Sequence, residues 1–144
     1  MKYVVDTSIL NKLVEGVLTP DHLPTDGEFV ASHIQIDELN QTKDEEKRAQ
    51  LFLTFATIVK EIVPTETFII GVSRLDHGKL SDGELFEKLR NELNRLNGEK
   101  ENNTMDALIA EIAINNGYTL LTADYHLQRV AKDSGCNVLY WPQI

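Results

Sequence analysis

The sequence has a single cysteine, Cys136, among its 144 residues. The chain therefore cannot form an internal disulfide or a zinc site of several cysteines, and it is consistent with a reducing compartment. No apolar run approaches the roughly 20 residues that a membrane-spanning helix needs. The amino-terminal MKYVVD reaches an acid too early for a signal peptide. We therefore expect a soluble, cytoplasmic protein with no membrane partner.

Basic residues are also scarce, because 14 Lys and Arg stand against 23 Asp and Glu, for a net charge of −9. The field of such a molecule repels nucleic acids and membrane surfaces. A nucleic-acid substrate would have to be held by a local basic patch or through metal ions. The hydrophobic content of 42% is sufficient for a proper core, so we expect one domain over residues 1–144.

The stretch from residue 104 to residue 124 predicts a helix, a turn and a buried strand. The spacing of one apolar helix face is present at Met105, Leu108, Ile109, Ile112 and Ala113. Gly117 stands where a left-handed residue would end that helix. Residues 118–121 then predict a parallel strand that is buried on both faces. Asp106 would lie in the first helical turn, and Asp124 just after the carboxyl end of the strand.

The rest of the chain alternates between the two patterns. Strands are predicted over residues 2–5, 28–31, 61–63 and 137–141, with a strand or short buried segment at 67–75. Helices are predicted over residues 7–15 and 44–60, and after caps at Ser32, at Ser81 or Asp82, and at Asp124. Residues 97–103 predict a mobile polar loop. This alternation predicts a three-layer α/β/α sandwich around a mostly parallel sheet.

The helix predicted over residues 44–60 is apolar on nearly all sides, around Phe52 and Leu53. Such a helix must be buried on more than one side. Its second face belongs either to the core or to a contact with a partner chain.

Four acids are candidates for a functional site, although each has an ordinary structural explanation. Asp6 and Asp124 stand before helices, where an N-cap carboxylate stabilises the helix by about 1 kcal/mol. Asp106 would gain from the helix dipole, and Glu38 could lie on a solvated helix face. However, Asp6 and Asp124 follow core strands at one edge of a parallel sheet, and the helix of Asp106 begins at that edge.

Carboxylates that converge at one edge repel one another, and their pKa values rise unless a cation neutralises them. Oxygen ligands without His or Cys partners suit Mg²⁺ or Mn²⁺ rather than zinc. Two such metals can activate water and stabilise the leaving oxygen at a phosphate. The residues therefore suggest metal-assisted phosphodiester hydrolysis.

The segments VVDTSIL, IQIDEL, MDALIAEIAINNG and TLLTAD follow one another in this order. With them, nearly the whole chain resembles the PIN-domain nucleases, which include the toxins of prokaryotic toxin–antitoxin pairs. The resemblance implies an RNA substrate, cleavage to a 5′-phosphate and a 3′-hydroxyl, an antitoxin partner for a toxin, and a homodimer. It implies an acidic quartet that holds divalent metal, with small hydroxyl residues beside it: Asp6, Glu38, Asp106 and Asp124, then Ser8 and Thr122. Glu38 rather than Asp37 matches the family's acid, because Ile34, Ile36 and Leu39 fix the register.

The sequence departs from the family in two places. Many relatives carry a further acid and an aromatic residue after the last aspartate, whereas this chain reads Asp124-Tyr125-His126-Leu127. We interpret His126 as a surface residue rather than a ligand. Residues 68–102 also form a longer segment than a minimal toxin needs, so a toxin and an RNA-processing enzyme both stay open.

Other classes of protein with acidic strand ends are disfavoured. A haloacid-dehalogenase-like phosphatase needs a second Asp where Ser8 stands, and a response-regulator receiver needs a Lys that Thr122-Ala123-Asp124 does not offer. The alternative that remains is a PIN-like regulatory or binding module with little catalysis, which the acidic charge and the apolar helix favour. Candidate RNA contacts are Lys12, Lys43, Lys47, Arg48 and Arg74.

Overall fold

The computed structural model describes residues 1–65 and 83–141. In chain order the elements are β1 (Lys2–Val5), α1 (Thr7–Val14), a 3-10 turn (Pro20–His22), β2 (Glu28–Ala31), α2 (His33–Asn40), α3 (Glu45–Ile58), β3 (Val59–Ile62), α4 (Glu84–Asn97), α5 (Glu101–Asn116), β4 (Thr119–Thr122), α6 (Tyr125–Asp133) and β5 (Asn137–Tyr140). The strands form one sheet in the order β3-β2-β1-β4-β5, and every neighbouring pair is parallel.

The sheet has a hydrophobic core on each face. Successive strand residues point to opposite faces, so Val4 joins the core beneath α4, α5 and α6, whereas Val5 joins the core beneath α1 and α3. Most of α5 is enclosed, and its residues 107–113 are all buried. The predicted α/β/α sandwich with a parallel sheet is therefore confirmed.

The order of the strands determines where a ligand can bind. From the central β1 the chain builds the sheet outward through β2 and β3, and later returns to β4 on the other side of β1. The carboxyl ends of β1 and β4 therefore lie beside the point at which the chain changes direction. Open parallel sheets have a crevice at this point. Asp6 and Asp124 follow these two strands.

The start of α5 differs from the prediction. The helix begins at Glu101, so Asp106 lies in its second turn, and the predicted mobile loop at 97–103 shrinks to residues 98–100. The cause is Asn103, which is fully buried. Its amide donates to Asn94 Oδ1 at 2.8 Å and to the Gly98 carbonyl at 2.7 Å, and its Oδ1 accepts from Asn97 Nδ2 at 2.9 Å. These bonds satisfy polar groups of the turn that water would satisfy in an exposed loop. The turn is therefore short and ordered around Asn103.

The starts of β3 and α4 also differ from the predicted positions. The strand β3 starts at Val59, directly after α3, because it pairs with β2 from Phe29↔Val59 onward. The N-cap of α4 is Gly83, whose φ of 74° is left-handed, rather than Ser81 or Asp82. Those two residues, Arg74 and the segment predicted at 67–75 lie outside the described residues.

The second face of α3 is only partly covered by the described residues. Leu51 and Phe55 are buried, but Leu53 is 69% exposed and Ala49 and Ala56 are exposed as well. Phe52 on the same face is half-buried and packs against the core, so the core accounts for part of this face. A contact of the exposed part with a partner chain stays a prediction. Across residues 1–65 and 83–141 no helix is both long and apolar enough to cross a membrane.

Candidate active site

Asp6 is held by hydroxyl groups rather than used as a helix cap. It is 3% exposed, and its backbone N–H donates to the Leu121 carbonyl at 2.9 Å, which continues the pairing of β1 with β4. Its side chain makes no capping bond to α1. Instead Oδ2 accepts from Ser8 Oγ at 2.6 Å and from Thr122 Oγ1 at 2.8 Å. The capping explanation therefore fails for this carboxylate.

The same two hydroxyl groups fix the segment that carries Asp124. Ser8 Oγ accepts from the Ala123 N–H at 2.9 Å, and Thr122 Oγ1 accepts from the Asp124 N–H at 3.0 Å. Asp124 also caps α6, since its Oδ1 accepts from the Leu127 N–H at 3.0 Å. The interpretation of Asp124 as a helix N-cap is thus confirmed for one of its two carboxylate oxygens. The residue is half-buried at the edge of the sheet.

Glu38 and Asp106 reach the edge from two different helices, α2 and α5. Thr7 Oγ1 donates to Glu38 Oε2 at 3.1 Å. The other oxygen, Oε1, is buried without a hydrogen-bond partner in the part of the chain described. Asp106 is 9% exposed, on the second turn of α5. A buried carboxylate oxygen without a partner is costly, because it has lost water and gained nothing in return.

Burial and the charge of neighbouring acids raise the pKa values of three of the four acids. Burial, and then the charge of Asp6, raises the pKa of Glu38 to about 8, although the Thr7 hydroxyl opposes this. Burial raises the pKa of Asp106 well above its usual value, and the charges of Asp6, Glu38 and Asp124 add to that rise. Burial also raises the pKa of Asp6. The hydrogen bonds from the Ser8 and Thr122 hydroxyls oppose this rise, and the charge of Asp124 adds to it.

Within the described residues, none of the four acids forms an ion pair with Lys or Arg. Of the candidate RNA contacts, Lys12 and Lys47 lie 4.0 and 3.9 Å from Glu15 carboxylate oxygens. The Arg48 guanidinium donates to the Thr42 carbonyl at 3.0 Å. Lys43 is exposed. The charge of the acids is therefore not neutralised by the cations of residues 1–65 and 83–141.

The donor set suits a hard divalent cation, although the side chains do not form a finished cage. No three His, Cys, Asp or Glu side chains of the described chain are grouped closely enough to hold a metal as they stand. The charges of the neighbouring carboxylates nevertheless raise the pKa values of Glu38 and Asp106, which reflects their mutual repulsion. A cation would relieve the repulsion and would give Glu38 Oε1 a partner. Mg²⁺ and Mn²⁺ favour such oxygen ligands.

Sequence reasoning missed two residues that position the site. Thr7 stands within the DTS triplet but was not recognised as the partner of Glu38. Gln35 is fully buried; its Nε2 donates to the Val5 carbonyl at 3.0 Å, and its Oε1 accepts from the Ser32 N–H at 2.9 Å. The capping-box spacing of Ser32 and Gln35 was the available signal. Gln35 thereby ties the helix of Glu38 to the end of β1.

Comparison with known proteins identifies the fold that carries this site. No protein-family model matches the sequence, and a search of curated proteins finds no match. Among solved structures, the chain is similar to VapBC-1 from nontypeable Haemophilus influenzae, with a TM-score of 0.59, 19% identity and 98% of each chain covered. The chain has a PIN-like fold. The resemblance found in the motifs is thus confirmed for the fold.

Two further structures share the PIN-like fold. VapBC-5 from Mycobacterium tuberculosis, of the VapBC family of toxin-antitoxin systems, has a TM-score of 0.51 and 18% identity over 96% of each chain. PAE2754 from Pyrobaculum aerophilum has a TM-score of 0.52 and 16% identity, over 96% of this chain and 89% of that one.

Ser8→Ala is expected to lower the free energy of unfolding by about 1–3 kcal/mol, because it removes a bond to Asp6 and leaves the Ala123 N–H without its acceptor. Urea denaturation measures the change. The matched control is Thr54→Ala, whose exposed hydroxyl bonds only to the Gln50 carbonyl of its own helix. Equal effects of the two substitutions would show that Ser8 does not hold β1 and β4 together.

Proposed function

We propose that the protein is a divalent-metal-dependent endoribonuclease, in which Asp6, Glu38, Asp106 and Asp124 hold Mg²⁺ or Mn²⁺. The observation that carries this proposal is the convergence of buried acids, not neutralised by cations of the described chain, at the switch point of a parallel sheet. The pKa of Glu38, raised to about 8, means that this carboxyl group holds a proton at neutral pH when no metal is bound. Metal binding would displace that proton, so the two compete for the same oxygens.

The carboxylates of this site would hold the metal, and neighbouring hydroxyl groups orient the carboxylates. When bound, the ions supply the positive charge that activates water and stabilises the leaving oxygen at phosphorus. Ser8 and Thr122 orient the Asp6 carboxylate, and Thr7 orients Glu38. Ligands that are oriented by a second set of hydrogen bonds bind metal more tightly than ligands that are free to rotate. The four carboxylates set the position at which an RNA phosphate can approach.

The likeness to VapBC-1 and VapBC-5 supports a role as the toxin of a toxin–antitoxin pair, with an antitoxin protein as partner. The exposed apolar face of α3, with Leu53 at its centre, supports a protein contact of this kind or a homodimer. An RNA-processing enzyme uses the same chemistry without an antitoxin. A PIN-like regulatory module would bind metal and not cleave.

The test is cleavage of an end-labelled RNA pool by the purified protein in Mg²⁺, in Mn²⁺ and in EDTA. We expect internal cleavage with either metal, products that carry 5′-phosphates, and no cleavage in EDTA. Cleavage that persists in EDTA would contradict a metal-dependent mechanism. Metal binding without cleavage of any RNA in the pool would favour the regulatory module.

A further inference from the structure

Two tyrosine rings lie beside the acidic site on the β5 side. Tyr125 begins α6, directly after Asp124, and is 53% exposed. Its ring meets the ring of Tyr140 with a centroid distance of 6.5 Å and an interplanar angle of 66°. The His126 ring lies against it as well, at 5.6 Å and 69°. Edge contacts of this kind hold an aromatic ring in place. More than half of Tyr125 nevertheless remains open to solvent.

The register of the sheet fixes the position of Tyr140 relative to the acids. Tyr140 on β5 pairs with Thr122 on β4, and directly opposite residues share one face of a sheet. Thr122 donates to Asp6 from that position. The backbone N–H of Trp141 also donates to the Thr122 carbonyl at 3.0 Å, which extends the pairing of the two strands to the site. The backbone of Tyr140 therefore lies about one strand spacing, roughly 5 Å, from the backbone of Thr122, a residue that orients the acids.

Because the protein is acidic, a nucleic acid bound beside the acidic site needs contacts that do not depend on positive charge. The molecule carries a net charge of −9, and its candidate cations Lys12 and Lys47 are shared with Glu15. Stacking of a base on an aromatic ring is nearly independent of charge and tolerates any sequence. It requires an unpaired base, since the bases of a duplex already stack on one another.

We propose that Tyr125, supported by Tyr140, stacks an unpaired base next to the phosphate held at the acidic site, and so selects single-stranded RNA. This inference rests on the proposed function. Tyr125 is then a specificity-determining residue that contacts a base of the substrate on the β5 side of the site. A Tyr ring suits this position because its body is apolar while its hydroxyl stays in water.

The test measures binding of a fluorescein-labelled, unstructured 15-nucleotide RNA, alone or paired with its complement, to protein that carries Asp106→Asn to prevent cleavage. Adding Tyr125→Leu is expected to weaken single-strand binding by roughly 5- to 150-fold and to leave duplex binding unchanged. Tyr125→Phe should retain the affinity, because it keeps the ring. The slope of log affinity against log salt should not change, because no phosphate contact is lost.

A control and a second readout separate the possible outcomes. Tyr118→Leu makes the same substitution at the opposite end of β4 and should not alter RNA binding. Unchanged single-strand affinity in Tyr125→Leu would overturn the inference, and would leave the rings as a surface for a protein partner. If Tyr125→Leu weakens binding although wild-type protein cleaves no RNA, base stacking stands and the nuclease proposal fails. If wild-type and Tyr125→Leu proteins cleave with equal KM and kcat, the nuclease stands and base stacking fails.

Discussion

Asp106→Asn is expected to lower the rate of metal-dependent RNA cleavage by about 100-fold or more. The substitution keeps the volume of the side chain and removes a charge that the site needs in order to hold a cation. Removing a single group that stabilises charge at an active site costs on the order of 100- to 1,000-fold in rate. Single-turnover cleavage of one RNA identified from the pool measures the effect. Asp6→Asn should cause a loss of the same order.

The expected loss cannot be attributed to unfolding. Asp106 is 9% exposed and its pKa is raised by burial and by three other acids, so its charge destabilises the metal-free protein. Asp106→Asn should therefore melt at the same temperature as wild type in EDTA, or higher. Asp133→Asn is the matched control, because it makes the same change at the far, exposed end of α6. Cleavage at equal rates by wild type and both site variants would identify a contaminating nuclease and refute the site.

Local patterns in the sequence predicted the elements that position the site. The strands β1 and β2 have their predicted bounds, and Gly117 ends α5 with a φ of 69°. Short, strongly apolar strands and a left-handed glycine are determined by neighbouring residues, so they can be found without tertiary contacts. Because the carboxyl ends of parallel strands meet at one edge, the position of Asp6 beside Asp124 followed from topology alone.

Features that depend on distant residues could not be predicted in this way. The Thr7 hydroxyl reaches Glu38 across 31 positions, and Asp6 and Thr122 are 116 positions apart. Sequence spacing could not show that Asp124 caps its helix while Asp6, in the same type of position, does not. The apolar residues of α3 left both core and a partner contact open, because exposure depends on what packs against them. Leu53 shows that an apolar pattern does not by itself reveal burial.

In the absence of metal, Glu38→Gln is expected to be more stable than wild type at pH 8 and not more stable at pH 4. The pKa of Glu38 rises from an ordinary 4.5 to about 8 on folding. A raised pKa means that the folded protein holds the proton more tightly than the unfolded chain. The contribution of Glu38 to stability is therefore complete below pH 4.5, and it is lost as the pH rises towards 8. This pKa difference corresponds to roughly 3–5 kcal/mol.

Urea denaturation in EDTA at several values between pH 4 and pH 8 measures this curve. The stability of wild type should fall over that interval, and Glu38→Gln should remove a large part of the fall. Glu99→Gln, an exposed change of the same kind, should follow the wild-type curve. If Glu38→Gln also follows the wild-type curve, the Glu38 carboxylate is not confined with other acids, and a shared site must be abandoned.

Adding metal at pH 8 should narrow the difference in stability between the two proteins. A cation at a concentration 100 times its dissociation constant stabilises the folded state by about 2.7 kcal/mol. Wild type should gain this stability in Mg²⁺ or Mn²⁺, since the charge that destabilises its metal-free form becomes a ligand. Glu38→Gln has lost that ligand and should gain much less. The carboxylate that costs the empty protein stability at pH 8 is thus the same group that allows it to bind the cation.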